Sequence, residues 1–174
     1  ADGLHRDLTR ITDRSRTFFA ALSMARMAAG GDSRARYAAE AIAEHFEDGM
    51  MLAGALEGLE ATLALLSSKP NSDASASLTE AIAALQRRLV EVRTDLRFLM
   101  RADDPDFVYY LEVRGRGLFL RASPIDVSRL VREAVFDRMR TIVLTSATLA
   151  VEGSFEYAKG RLGIREADEV RVAS

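Results

Sequence analysis

The sequence predicts an α+β protein, with a long antiparallel helical bundle followed by a small α/β part that holds a β-hairpin. Three observations predict it. Up to about residue 103, apolar residues recur in alternating steps of four and three, the heptad spacing of one helix face. Beyond that point, short runs of β-branched and aromatic residues take over. Between the two stands Asp103-Asp104-Pro105-Asp106, a helix stop and a turn. The expected division is therefore 1–103 and 104–174.

The first helix is expected along Leu4, Leu8, Ile11, Ser15, Phe18, Leu22 and Ala25. Gly30-Gly31 ends it, and Asp32 or Ser33 can cap the next helix. The second run is Ala38, Ile42, His45, Gly49, Leu52, Leu56, Leu59, Leu63 and Leu66. Read as one helix it would be roughly 45–50 Å long, at about 1.5 Å per residue. A polar, Pro-containing linker over 67–73 comes after it. The third run is Leu78, Ile82, Leu85, Leu89, Val92, Leu96 and Leu99. Three such seams predict helices crossing at shallow angles, as in a coiled-coil bundle. His45 falls on the second seam and reads as a packed boundary histidine, since no carboxylate or second His lies in register to share a metal. Met24, Met27, Met50, Met51 and Met100 read as gap-filling core.

In the second part, 107–113 and 118–122 predict the two strands of a hairpin, with Arg114-Gly115-Arg116-Gly117 as its turn. A helix from about Ser128 should bury Leu130, Val131, Ala134, Val135 and Met139. The run Thr141-Ile142-Val143-Leu144-Thr145 predicts a buried strand of a parallel sheet, ending at Ser146-Ala147-Thr148-Leu149. A short helix over 154–161 and a strand near 170–172 complete the expected elements.

Composition excludes several classes of function. There is no Cys, so there are no disulfides, thiolate metal sites or Cys nucleophile in these residues. With only His5 and His45, a histidine-based metal site is not expected either. Lys and Arg number 24 against 26 Asp and Glu, a net charge of −2. Any attraction to nucleic acid must therefore come from a local patch. No unbroken run of 18 apolar residues occurs, so no membrane partner is expected. The chain begins Ala1-Asp2-Gly3 without an initiator Met, which leads us to expect an internal segment of a longer protein.

Small hydroxyl residues at the C-terminal end of a central strand are where α/β enzymes place ligand-handling groups. In its wider context, the stretch from Val108 to Ser174 resembles the DinG/XPD-like group of superfamily 2 ATP-dependent DNA helicases. The resemblance is carried by Pro124-Ile125-Asp126-Val127-Ser128, a helix with Phe136, the 141–149 run, Gly153, Phe155 and Tyr157, and Arg161-Leu162-Gly163-Ile164. In that family a mostly helical Arch domain is inserted ahead of this motif, and residues 1–103 match it in position and character. The strand ending in Ala173-Ser174 looks like the lead-in to the second motor domain.

The resemblance implies a motor that hydrolyses ATP and unwinds DNA. It makes Thr145, Ser146, Ala147 and Thr148 the coupling segment (motif III), whose hydroxyls link nucleotide state to DNA movement. It implies ATP and Mg as cofactors of the parent protein and admits an iron–sulfur cluster there. Its partner would be single-stranded or forked DNA, and its place the bacterial cytoplasm, at the nucleoid. Arg114, Arg116, Arg121, Lys159 and Arg161 are the candidate phosphate contacts, each weighed against ordinary surface arginine or lysine. No phosphate loop and no Asp-Glu-x-His box occur in these residues, so no complete catalytic set is expected, no cofactor should bind here, and the segment alone should be inactive. Exposed strand edges would favour self-association. The alternative is a helical-bundle scaffold, binding a partner through a heptad seam and having no enzymatic role.

Overall fold

The computed structural model describes residues 2–28, 30–31, 33–67 and 76–171. The linker centred on 68–73, the Asp32 cap and the end of the closing strand from 172 onward lie outside them. Packing divides the chain into two units, Ala1–Ser123 and Pro124–Ser174. The sequence division at residue 103 differs from this by the hairpin, which packs with the helices.

The first unit runs α1 (Asp2–Ala28), β1 (Arg34–Arg36), α2 (Ala39–Ala43), α3 (Phe46–Ser67), α4 (Ala76–Arg101), β2 (Phe107–Arg114) and β3 (Gly117–Pro124). α3 is apolar around most of its circumference, the pattern of a helix covered on more than one side. It buries Leu52, Ala53, Ala55, Leu56, Leu59 and Leu63. By length and composition alone α3 could cross a membrane, but here it is the middle helix of a layer. α1 packs on it through Phe18 and Leu22, and α4 through Leu96 and Met100. Both neighbours run antiparallel to it. Near one end Thr62 donates a 2.5 Å hydrogen bond to Asp7. Near the other, Gly49 sits against the Met100 side chain, and between the two ends Arg93 lies 3.2 Å from Glu60.

α1 and α4 each pack chiefly on α3, so the α+β class with antiparallel helices stands as the sequence predicts. Leu8, Leu78, Leu85 and Val92, off those contacts, stay exposed. The second run is not one helix. It breaks at Glu44-His45, where the His45 N–H donates to the Ile42 carbonyl at 3.0 Å and the His45 carbonyl accepts from the Gly49 N–H at 3.0 Å. The break lets α2 send Ile42 into the core, and it leaves His45 half-buried at a corner. Of the methionines read as core, Met100 is buried, but Met24, Met27 and Met51 are exposed.

Ser33 does not cap a helix. Its carbonyl accepts from the Val113 N–H at 2.8 Å, and β1 begins at once as a strand that the sequence reading lacked. The sheet order is β1-β2-β3, with β1 antiparallel to β2 and Arg34 opposite Glu112, Ala35 opposite Leu111 and Arg36 opposite Tyr110. The hairpin forms where expected, its turn opened by Gly115 at φ +58°. One face of the sheet looks inward. Tyr109 and Leu111 are buried, with Leu118 and Leu120 packed beside them. Phe98 of α4 meets Phe107 and Tyr109 at ring-centre distances of 5.1 and 5.5 Å. The Tyr37 hydroxyl donates to the Leu99 carbonyl at 3.1 Å, and burial pushes that phenol well above its ordinary pKa.

The second unit holds α5 (Ser128–Ala134), a single 3₁₀ turn (Phe136–Arg138) and α6 (Glu156–Leu162). α5 and α6 meet at Gly163, which takes φ +73°. A Cβ there would lie 2.3 Å from the Ser128 carbonyl oxygen, so the approach requires glycine. Arg132 Nε donates to the Gly163 carbonyl at 2.7 Å across the same contact. Two expectations fail in this unit. Residues 141–146 form no strand, and Val143 is 83% exposed. A buried parallel strand needs partners on both edges, and the described residues of this unit supply only the small Val151–Ser154 bridge. Leu130, within α5, is exposed as well, and so are Val135 and Met139, because the helix ends at Ala134 and the 3₁₀ turn rotates these later residues off its face. Residues 164–171 carry no regular structure, so the closing strand is not formed in the part described.

Candidate nucleic-acid interface and coupling segment

Thr145, Ser146, Ala147 and Thr148 lie together on an exposed loop of the second unit. The Ser146 Oγ accepts from the Thr148 N–H at 3.1 Å and lies 3.1 Å from the Thr148 hydroxyl. Serine favours such local backbone bonding at turns, so this one folds the tripeptide on itself. Both hydroxyls remain in reach of solvent. Chemically they can donate and accept in a network, and among the described residues no base is hydrogen-bonded to them to make either a nucleophile.

Lys159 and Arg161 sit on α6. Lys159 lies between Glu156 at 2.6 Å and Glu169 at 2.9 Å, and these carboxylates push its pKa up. Its charge is thereby matched within the unit. Arg161 is exposed, and its charge helps hold Asp126 below the ordinary carboxylate range, although the larger causes there are hydrogen bonds from the Ser128 backbone and hydroxyl.

Arg114, Arg116 and Arg121 belong to the hairpin of the first unit, where a sharper arrangement appears. Residues alternate across a strand, so Tyr110, Glu112 and Arg114 point away from the helices on β2, as do Phe119 and Arg121 on β3. The register places Arg34 and Arg36 of β1 beside them. At the centre, Glu112 is buried beneath three guanidinium groups. Arg34 donates to Glu112 Oε1 through Nε at 2.8 Å and Nη2 at 2.6 Å. Arg114 donates to the same oxygen at 3.1 Å, with its Nε 3.0 Å from Oε2. Arg121 Nε lies 2.6 Å from Oε2 at ion-pair distance, without the alignment of a hydrogen bond. The hydrogen bonds from Arg34 are the chief reason the Glu112 carboxyl is held below its ordinary range. Two arginines also cover rings, Arg34 over Tyr110 at 5.7 Å and Arg121 over Phe119 at 5.4 Å.

The structure thus brings Arg114 and Arg121 together, leaves Arg116 at the turn tip, and places Lys159 and Arg161 in the other unit. Arg34, Arg36, Tyr110, Glu112 and Phe119 escaped the sequence reading. The alternation Arg34-Ala35-Arg36-Tyr37 after a Gly-Gly was the available signal for β1.

No family model matches the chain, and no solved structure matches it. Two proteins share partial sequence similarity with it. It is 35% identical over 75 residues to the 3′-5′ exonuclease DinG of Bacillus subtilis (strain 168), covering 41% of this chain and 8% of that protein. It is 29% identical over 92 residues to the ATP-dependent DNA helicase YoaA of Escherichia coli (strain K12), covering 53% of this chain and 14% of that protein. These partial similarities support a relationship to the DinG/XPD-like helicases at the family level. The chain spans only a small part of either relative.

Proposed function

We propose that this chain is a segment of a DinG-type ATP-dependent DNA helicase. Residues 1–103 would be its Arch domain. Thr145, Ser146, Ala147 and Thr148 would be the segment that couples ATP hydrolysis to unwinding. The observation that carries this reading is the similarity to YoaA, which extends over about half of the chain. The exposed apolar run at 141–144 supports it, since such a run is what a central strand looks like without its sheet neighbours. In the longer protein ATP and Mg would bind elsewhere, and the Ser146 and Thr148 hydroxyls would report nucleotide state by exchanging hydrogen-bond partners. The partner would be single-stranded or forked DNA, and the compartment the cytoplasm at the nucleoid.

The test uses the whole reading frame. A phosphate loop upstream and an arginine motif downstream are expected. In that protein, S146A/T148A should keep DNA-stimulated ATP turnover within a few-fold while unwinding falls about tenfold or more. A start codon before Ala1 with a stop after Ser174 would sink the reading, as would unwinding unchanged in the double variant.

A further inference from the structure

The outer face of the three-stranded sheet carries more positive charge than a chain of net charge −2 would suggest. Arg34, Arg36, Arg114, Arg116 and Arg121 against Glu112 give 5 − 1 = +4 on one small surface. Between α3 and α4, by contrast, arginines and carboxylates are matched, as Arg93 and Arg97 of α4 meet Glu57 and Glu60 of α3. Here one carboxylate serves three guanidinium groups, and Arg36 and Arg116 have no ion-pair partner among the described residues.

We propose that this face binds a single-stranded nucleic acid, with guanidinium groups on the phosphates and bases stacked against the arginine–aromatic pairs. Glu112 fixes the array. It is buried, yet the Arg34 and Arg114 side chains above it stay 64% and 59% exposed, so their outer N–H donors remain free for a ligand. Fixing the forks in advance lowers the entropy lost when a phosphate arrives. The rings distinguish the ligand. The carboxylates of an acidic peptide would use the charges but bring no flat π face to exposed Phe119, or to the guanidinium planes lying over Phe119 and Tyr110. Unstacked bases do, because aromatic rings and Arg planes both offer stacking surfaces. A duplex, with its bases already stacked, could use only the phosphate contacts. The inference deepens the helicase reading and rests on it in taking nucleic acid as the partner. The face itself is independent of the 145–148 segment.

The test is fluorescence anisotropy of the complete 174-residue chain with a labelled 12-nucleotide single strand, over a range of salt. With about four phosphates neutralised, log K against log salt should slope near −3, at roughly −0.7 per contact. R36A/R116A, which removes no described ion pair, should flatten the slope by about 1.4. The matched control R10A/R87A, two exposed arginines on α1 and α4 of the same unit, should leave it unchanged. F119A should weaken binding about tenfold while leaving the slope alone. The proposal is overturned by no binding at low salt, by equal weakening in the two arginine pairs, or by poly-glutamate or a 12-base-pair duplex competing as well as the single strand. Any of these would leave the ATP-coupling test on the whole protein standing, and failure of that test would leave these slopes to be judged on their own.

Discussion

At the scale of single residues, Glu112 decides most. A carboxylate on the outer face of a sheet would ordinarily be solvated, yet three arginines have drawn this one out of water. Removing its charge leaves guanidinium groups crowded with no counter-ion, so Glu112→Gln should destabilise the first unit. The sign of the pH dependence comes from the depressed pKa. A carboxyl that titrates lower in the folded state contributes stability that is fully present above its unfolded value, about 4.3. That contribution fades as pH falls through the lower folded value. Thermal melts should therefore show the native protein and Glu112→Gln converging as pH drops below about 4 and well separated at pH 7. Parallel curves across that range would show that the carboxylate charge is not what holds the cluster. The sequence displayed Glu112 and its arginines plainly but held no sign that they meet, because Arg34 is 78 positions away.

At the scale of elements, the helices of 1–101 and their antiparallel course were legible, and the way they share neighbours was not. Heptad spacing reports which face of a helix is apolar. It does not report how many neighbours share that face, and here α3 takes both while the outer edges of α1 and α4 remain open. The glycines of α3 show the same distinction. In the sequence nothing distinguishes Gly49, Gly54 and Gly58, but in the structure only Gly49 is crowded. A Cβ there would lie 2.7 Å from Met100 Cε and 3.1 Å from its Cγ, and Met100 is buried, so its thioether would have to repack within the core. At Gly54 a Cβ would meet nothing within 4 Å. Gly→Ala in a helix gains about 1 kcal/mol, while overpacking a core costs about 1–3 kcal/mol. Gly49→Ala should then lose about 1 kcal/mol net, and Gly54→Ala should gain about 0.5–1 kcal/mol. Urea unfolding midpoints would separate them, and equal shifts of one sign would show that α3 and α4 are not in this close contact. The 141–145 strand failed for a related reason. Its β-branched residues state a preference, but a strand exists only beside another, and the described part of its unit offers none.

At the scale of the whole molecule, the core belongs to one unit. Every buried apolar side chain among the described residues falls between Phe18 and Leu111, inside Ala1–Ser123. The other unit, 174 − 124 + 1 = 51 residues, closes on backbone contacts at Gly163 and on hydrogen bonds such as Arg132 to Gly163, with no large apolar side chain buried among its described residues. Burial of apolar surface is the dominant favourable term in folding, and below about 40–60 residues even a well-formed core is marginal. Stability should accordingly be divided unequally between the units. Residues 1–123 made alone should show the same cooperative melt as the complete chain, and residues 124–174 made alone should show none. Limited proteolysis of the complete chain should cut first within 141–150, where Val143 and Leu144 stand exposed and no ladder protects the backbone, and should leave a resistant piece that retains α1 through β3. If the 1–123 piece lost its transition while the complete chain kept one, the second unit would be contributing core that the packing assigns to the first. If instead 141–150 resisted the protease at concentrations where light scattering detects dimers, the exposed run would have found its strand partner in a second copy.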